Sequence, residues 1–372
     1  FTPVQTFLGG YLLHLSTSAL LEDTGTVLGV SGIVDGQIWG TGNPRAPKSQ
    51  EHESTREKQD AQWVERYWRM AVVGGMIAAP ITASMLGVGG QGAIDAVRSW
   101  DILSGQLGWD RLALAGVLVG LGSRLGSGCT SGHFLCGASR LSPRSIVATA
   151  VFFPIAMVTS QLFPMTSSPA LGNTAASYVP TYPALSDVPL FVLPIIIHQV
   201  LRLTLRRILA LSPVVFLRLA PYILSGWTFG MGLVMSGMAD PLKVVSFLRI
   251  SPLRQWDPSL AMVFLGGVIP NAISYRRLIS RRTTASSEPK PAYSWANWRV
   301  PRRRDIDWKL VSGAAVFGAG WGLGGVCPGP ALVGVGSVVW DQLTGHGKSA
   351  AGMALGAFAV SVAAGMRIGR VI

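Results

Sequence analysis

Residues 120–144, GLGSRLGSGCTSGHFLCGASRLSPR, hold two of the chain's three cysteines, with His133 between them and five glycines among the first thirteen residues. An apolar run, Leu112 to Leu121, leads in, and another, Ile146 to Phe163, leads out. Irregular, glycine-rich backbone is excluded from lipid, where unpaired N–H and C=O groups are costly; it is tolerated where it lines a cavity or pathway. The stretch therefore reads as a membrane-embedded site, and the rest of the chain is read by how it serves that site.

Composition agrees. The chain has 372 residues, 49% hydrophobic and only 13% charged, against about 25% charged in an ordinary soluble domain. Apolar runs of about 20 residues, enough to cross a bilayer core, recur from end to end. Forty-five glycines and twelve tryptophans suit close helix packing and the headgroup interface. The net charge of +13 would suggest nucleic acid in a soluble protein; in this class positive-inside bias accounts for it, and no nucleic acid is expected as a partner. Three cysteines do not make a disulfide framework. No cleavable signal is visible, and an opening at Phe1 without methionine leads us to expect the true N-terminus upstream.

In order, Pro3 to Leu21 is a first span, followed by the short TGTVLGVSGIVDG with Ser31, Gly32 and Asp35 at its far end. Residues 39–65 read as a polar loop, and Met70 to Val88 as the next span. An interfacial piece at 90–109 leads to a helix opened by Asp110. After the cysteine stretch come a span to Phe163, a loop at 166–187 without Lys or Arg, and a span from Val188 that runs into Arg202, Arg206 and Arg207. Further spans follow at Ala220–Met238, Leu260–Tyr275, Leu310–Val326 and Ser349–Val371. Residues 276–309 carry eight Arg and two Lys against three acids. The charge asymmetry places 276–309 and 202–218 in the cytoplasm and 165–188 opposite. The expectation is an integral membrane protein of about nine spans plus re-entrant half-helices, in the plasma membrane by first preference and an organelle membrane as the alternative.

The chain also repeats itself. Aligning Cys129 on Cys327 pairs Gly120 with Gly318, Gly122 with Gly320, Leu125 with Leu323 and Gly126 with Gly324. Ser31-Gly32-Ile33-Val34-Asp35 matches Ser236-Gly237-Met238-Ala239-Asp240 at a similar offset. This divides the chain into membrane repeats at 1–165 and 188–372, joined by 166–187. Twin repeats with interrupted hydrophobic segments mark transporters whose site lies at the repeat interface; inverted and parallel arrangements both remain open.

Each cysteine is followed by helix-starting residues: Thr130, Ser131 and Gly132 after Cys129, and Pro328, Gly329 and Pro330 after Cys327. Cysteines at helix N-termini sit where free N–H groups and the dipole favour an anion, and a thiol adds a soft, polarisable atom. Two such turns facing each other suit an anion with a soft sulfur end. The rival reading is of ordinary buried cysteines. Cys129-x3-His133-x2-Cys136, near Cys327, also resembles an N/S metal set, but the spacing is unusual for zinc and no acidic second shell is visible, so no metal or cofactor is assigned. His133 reads as a hydrogen-bonded interior residue, Arg140 and Arg144 as cytoplasmic anchors, and Arg124 as a side chain that could meet an anion. Asp35 and Asp240 are open between capping and coupling. Nothing resembles a phosphate-binding loop, a dinucleotide fingerprint or a serine-hydrolase elbow, so no nucleotide drive is expected, and the reading is of a transporter, not an enzyme.

At VLGVSGIVDG, GSGCTSGHFLCGASRLSPRSIVAT, GLVMSGMADPLKVVSFLRI, WDPSLAMVFLGG and FGAGWGLGGVCPGPALVGVGS the chain resembles the YeeE/YedE-type sulfur transport family. It looks like a fusion of two half-length members. The resemblance implies an all-α bundle of about nine spans with pseudo-twofold repeats and a central constriction lined by cysteines, which Cys129 and Cys327 match. Single-chain thiosulfate transporters of the family carry a further cysteine in the first arm, where this chain has Ser31; Cys136 is additional. The expected function is transport of a small sulfur-containing anion, thiosulfate first. The expected pathway takes in Gly128, Cys129, Thr130, Ser131, Gly132, His133, Cys136, Ser31, Ser236, Cys327, Pro328 and Gly329. The alternatives are a membrane sulfur carrier that forms a cysteine persulfide for a cytosolic sulfur-accepting protein, and a Cys/His metal-binding membrane protein.

Overall fold

The computed structural model describes residues 1–40, 55–88, 92–164, 177–211, 214–280, 291–301, 303–345 and 350–372, and no β-strand occurs among them. Parts of the loops expected at 39–65, 166–187 and 276–309 lie outside the described residues. The helices are α1 Pro3–Thr24, α2 Val30–Trp39, α3 Thr55–Met85, α4 Gly92–Leu125, α5 Pro143–Leu162, α6 Val188–Leu211, α7 Ala220–Ser236 and α8 Pro241–Leu248. They continue with α9 Pro258–Ser280, α10 Trp308–Gly324, α11 Pro328–Leu343 and α12 Ala351–Val371. A π-helical turn, Ser131–Ala138, lies between α4 and α5, and a second, Phe264–Val268, lies inside α9.

By length and composition, five segments can cross a bilayer: α5, the stretch holding α6, α9, α10 with α11, and α12. The segment Val215–Ser236 with α8, bent by 62°, makes a sixth. The chain is an all-α, polytopic integral membrane protein. α3 corrects the expected loop, because its helix begins at Thr55, ahead of the apolar span. Its early turns are polar yet helix-forming, with Arg69 paired to Glu65 one turn back at 3.6 Å and Asp60 to Arg218 at 3.8 Å. Polarity alone does not separate a solvated helix from a loop.

Two antiparallel crossings organise the centre. α1 lies on α7, with Gly9 against Gly232 and Ser236, and Ser16 against Ser225 further along. The serines exchange bonds: Ser16 Oγ donates to the Ser225 carbonyl at 2.7 Å, and Ser225 Oγ donates to the Ser16 carbonyl at 3.1 Å. α4 lies on α10 in the same way, with Gly126 beside Gly313, Gly122 beside Phe317 and Val119 beside Gly320. A Cβ at Gly122 would sit 2.2 Å from the Phe317 backbone nitrogen. The helices are in backbone contact, the small-residue packing favoured where lipid supplies no hydrophobic drive.

Left-handed glycines end three of these helices: Gly25 after α1, Gly237 after α7 and Gly325 after α10. Glycine takes that conformation without a Cβ clash. This corrects one sequence match. Ser31 lies in the first turn of α2, whereas Ser236 is the last residue of α7, so the SGIVD and SGMAD segments occupy different places. Gly25, and not Gly32, stands where Gly237 stands. A five-residue pattern with one glycine is too short to distinguish a helix start from a helix end.

The two ends of the bundle differ in charge. At one end Asp23 takes Arg202 at 2.9 Å and also binds Arg206, Asp35 takes Arg370 at 2.8 Å, and Arg144 pairs with Asp307 at 3.3 Å. At the other the N-terminal amine of Phe1 donates to the Ser177 carbonyl at 2.8 Å, and Asp101 accepts from the Ala351 N–H at 2.6 Å.

Candidate functional site

Both cysteines open a helix after a break. α10 stops at Gly324, Gly325 turns the chain, and Cys327 sits extended (φ −124°, ψ 172°) as the N-cap of α11, with Pro328 in the first helical position. The Cys327 carbonyl accepts from the Ala331 N–H at 3.2 Å. On the other side α4 stops at Leu125, Ser127 takes a left-handed φ of 61°, and the Cys129 carbonyl accepts from the His133 N–H at 2.9 Å. Both cysteines are reduced and buried, at 1% and 5% exposure.

The turns meet. Thr130 Oγ1 lies 3.6 Å from Cys327 Sγ, and Cys129 Sγ lies 3.2 Å from Ser131 Oγ. Ser131 Oγ also accepts the Val30 N–H at 3.1 Å, which ties the start of α2 to the same cluster. Thr130, Ser131, Cys327 and Gly329 line one cavity, closed by Leu13, Val30, Phe134, Phe229, Leu233, Met238 and Val263. Its free volume of about 30 Å³ holds a water or two, so the space between the turns is narrow. A larger apolar cavity, about 460 Å³, adjoins it at Thr130, Phe134, Met238 and Val263 and is walled by Phe153, Phe264 and Trp321.

The other sequence-selected residues are dispersed. His133 uses both ring nitrogens, one on the Gly126 carbonyl at 3.0 Å and one on Ser145 Oγ at 3.2 Å. Gly128 leaves room for that ring, and Gly132 packs on Gly29. Cys136 directs its thiol at the Leu28 carbonyl, 3.4 Å away, and lines a different cavity. Pro328 is buried at the start of α11. Cys129, Ser31 and Ser236 do not themselves line this cavity; their neighbours Thr130, Val30 and Met238 do. Among the described residues no three of His, Cys, Asp and Glu converge as a metal site would require. Arg124 is not free for an anion at this point: it pairs with Asp35 at 3.4 Å. Asp35 is an ion-pair anchor inside α2, while Asp240 caps α8 by accepting the Leu242 N–H at 2.8 Å.

The two turns offer different chemistry to an anion. The first N–H groups of a helix have no intrahelical acceptor. On the Cys129 side these belong to Thr130, Ser131 and Gly132, beside two hydroxyls. On the Cys327 side Pro328 and Pro330 have no N–H, which leaves Gly329 between them. The apolar walls, Phe229, Leu233, Met238 and Val263, come from segments far along the chain; Leu233, Met238 and Val263 lie in stretches that carry the family resemblance, but nothing in the sequence singled them out as walls.

Comparison with known proteins agrees with a membrane role. The family model described as a family of unknown function, DUF6691, matches residues 217–367. A protein named "Probable transporter" from Xylella fastidiosa strain Temecula1 is 37% identical over 153 residues, which is 41% of this chain and 89% of that protein. Another of the same name, from strain 9a5c, is 34% identical over 139 residues, 37% of this chain and 89% of its own length. These relatives are therefore less than half as long as this chain. No solved structure matches it. With relatives this similar covered almost end to end, the chain belongs to the family of these probable transporters, and the DUF6691 match lies in its second half.

Proposed function

We propose that this chain carries a small sulfur-containing anion, thiosulfate by first preference, through the constriction between the Cys129 and Cys327 turns. The observation that carries this reading is the meeting of two matching cysteine turns from opposite halves of the chain, with Thr130 Oγ1 3.6 Å from Cys327 Sγ. Such a site offers N–H and O–H donors to the oxygens and the soft Cys327 thiol to the terminal sulfur, with Cys129 Sγ 3.2 Å from the lining residue Ser131. The hand-over needs no covalent step: contacts form ahead of the anion as others break behind it.

The same reading takes α1 to α5 and α7 to α12 as inverted repeats, with α6 between them, so the second repeat starts after α6 and not at residue 188. Support comes from the antiparallel crossings of α1 on α7 and α4 on α10. Equivalent helices packed antiparallel are related by an axis perpendicular to them, hence in the membrane plane. Nine crossings then follow, by α1, α3, α4, α5, α6, α7, α9, α10 and α12, while α2, the first π-turn, α8 and α11 serve as half-helices. The Arg-rich end is cytoplasmic by the positive-inside rule.

The test is uptake of labelled thiosulfate, sulfite and sulfate into vesicles carrying this one chain. Thiosulfate uptake above empty vesicles, with sulfate excluded, is the expected result; no flux of any of the three would overturn the reading.

A further inference from the structure

A second cavity, as small as the first at about 30 Å³, lies toward the Arg-rich end, walled by α1, the first π-turn and α9, with Arg140, Cys136, Ser139, Asn271 and Ser274 in its lining. Most of its polar groups are already engaged. Ser139 Oγ donates to the Leu135 carbonyl at 2.8 Å, Asn271 Nδ2 donates to Thr17 Oγ1 at 2.9 Å, and Cys136 faces the Leu28 carbonyl. Glu22, also in the lining, is compensated by Arg202 at 2.7 Å. Arg140 differs. Its Nε donates to the Cys136 carbonyl at 3.0 Å, and among the described residues no carboxylate pairs with its guanidinium. Its two terminal nitrogens have no hydrogen-bond partner among the described residues, which leaves a fork suited to an oxyanion.

The cavity is one chain thickness from the cysteine constriction. Ser131 and Leu135 of the π-turn line the constriction, while Cys136 and Ser139 of the same segment line the Arg140 cavity. The α1–α2 connection and the start of α2 do likewise, with Val27 lining the Arg140 cavity and Val30 the space between the cysteine turns. The Cys136–Leu28 contact lies beside the packing of Gly29 on Gly132. We infer that Arg140 forms a second anion station, on the cytoplasmic side of the constriction, which takes a small oxygen-bearing dianion such as thiosulfate before its release. This rests on the transport reading and adds a specific binding group to it.

The experiment compares wild type, Arg140→Gln and Arg140→Lys in vesicles of both orientations, measuring half-saturation for labelled thiosulfate from each face. Arg140→Gln should raise it about tenfold from the Arg140 face, the order expected for losing a hydrogen bond to a charged group, and less than about twofold from the other. Arg140→Lys should recover part of the loss, because charge remains while the fork is lost. Equal changes on both faces, or none, overturn the station. If wild type moves no thiosulfate, the transport reading fails by itself, and equilibrium binding to the purified chain decides the station. A roughly tenfold weaker thiosulfate affinity in Arg140→Gln, at unchanged thermal stability, upholds it; equal affinity, or no binding to wild type, overturns it.

Discussion

The Cys129 and Cys327 turns begin alike and then diverge. Each carbonyl opens the next helix, but after Cys129 the chain makes an eight-residue π-turn, and after Cys327 a sixteen-residue α-helix. The first turn is rich in hydroxyls and N–H groups; the second is built from proline and glycine. π-turns widen the backbone and recur at functional sites, and this one faces another: Leu135 of the first packs on Gly267 of the second. A repeated cysteine therefore need not mean a repeated site. One half supplies donors, and the other a rigid helix start with few competing N–H groups.

The largest effect should come from removing both thiols. A Cys129→Ser, Cys327→Ser double variant should lose thiosulfate uptake to the level of empty vesicles, and either single serine should cost roughly ten- to a hundredfold, on the scale of a bond to a charged partner. Cys136→Ser should keep most of the flux, because its thiol faces the Leu28 carbonyl and not the constriction. Full transport by the double variant would leave only the helix-start donors to hold an anion.

Next comes the hydroxyl between the turns. Thr130→Val keeps the shape and removes the group 3.6 Å from Cys327 Sγ; a neutral hydrogen bond is worth about 1 kcal/mol, or roughly fivefold in uptake. An unchanged rate would place the anion's path away from Thr130.

Giving the second turn a donor it lacks sharpens the comparison from the opposite side. Pro330→Ala adds an N–H near Cys327, and sulfate, which has no soft end, should gain relative to thiosulfate by a few-fold. Competition of sulfate with labelled thiosulfate measures this, and an unaltered ratio would count against backbone donors as the selective element.

The smallest effect concerns the tie between the helices that flank the turns. Arg144, at the start of α5, pairs with Asp307, which caps α10 by accepting the Leu310 N–H at 3.0 Å. Burial works to raise the Asp307 pKa, but the Leu310 N–H, Arg144 and Arg303 outweigh it and hold the carboxyl below its ordinary value. A depressed carboxylate contributes stability that is present above its unfolded pKa, about 3.9, and is lost as pH falls through the folded value. Asp307→Ala should therefore cost about 1 kcal/mol at neutral pH. The gap to wild type should start to narrow below about pH 4 and close only below the lowered folded pKa, as read by thermal unfolding in detergent. A gap that persists in acid would assign the effect to packing.

Much of the architecture was legible without coordinates. Low charge and recurring apolar runs determined a helical membrane protein, because lipid admits no other fully bonded spanning backbone except a closed barrel. The glycine-rich cysteine stretches marked helix breaks, since glycine and proline act on the local backbone whatever surrounds them. Register over longer distances was not legible: SGIVD and SGMAD matched by letters and separated in space, and α3 began inside a stretch read as loop. Arg124 shows the same limit, because its partner Asp35 stands on another helix and α12 brings Arg370 to the same carboxylate. The walls of the constriction, Phe229, Leu233, Met238 and Val263, were decided by tertiary structure alone. Periodicity reports that a helix has an inward face; which faces converge depends on backbone contacts such as Gly122 on Phe317, made between residues far apart in the chain.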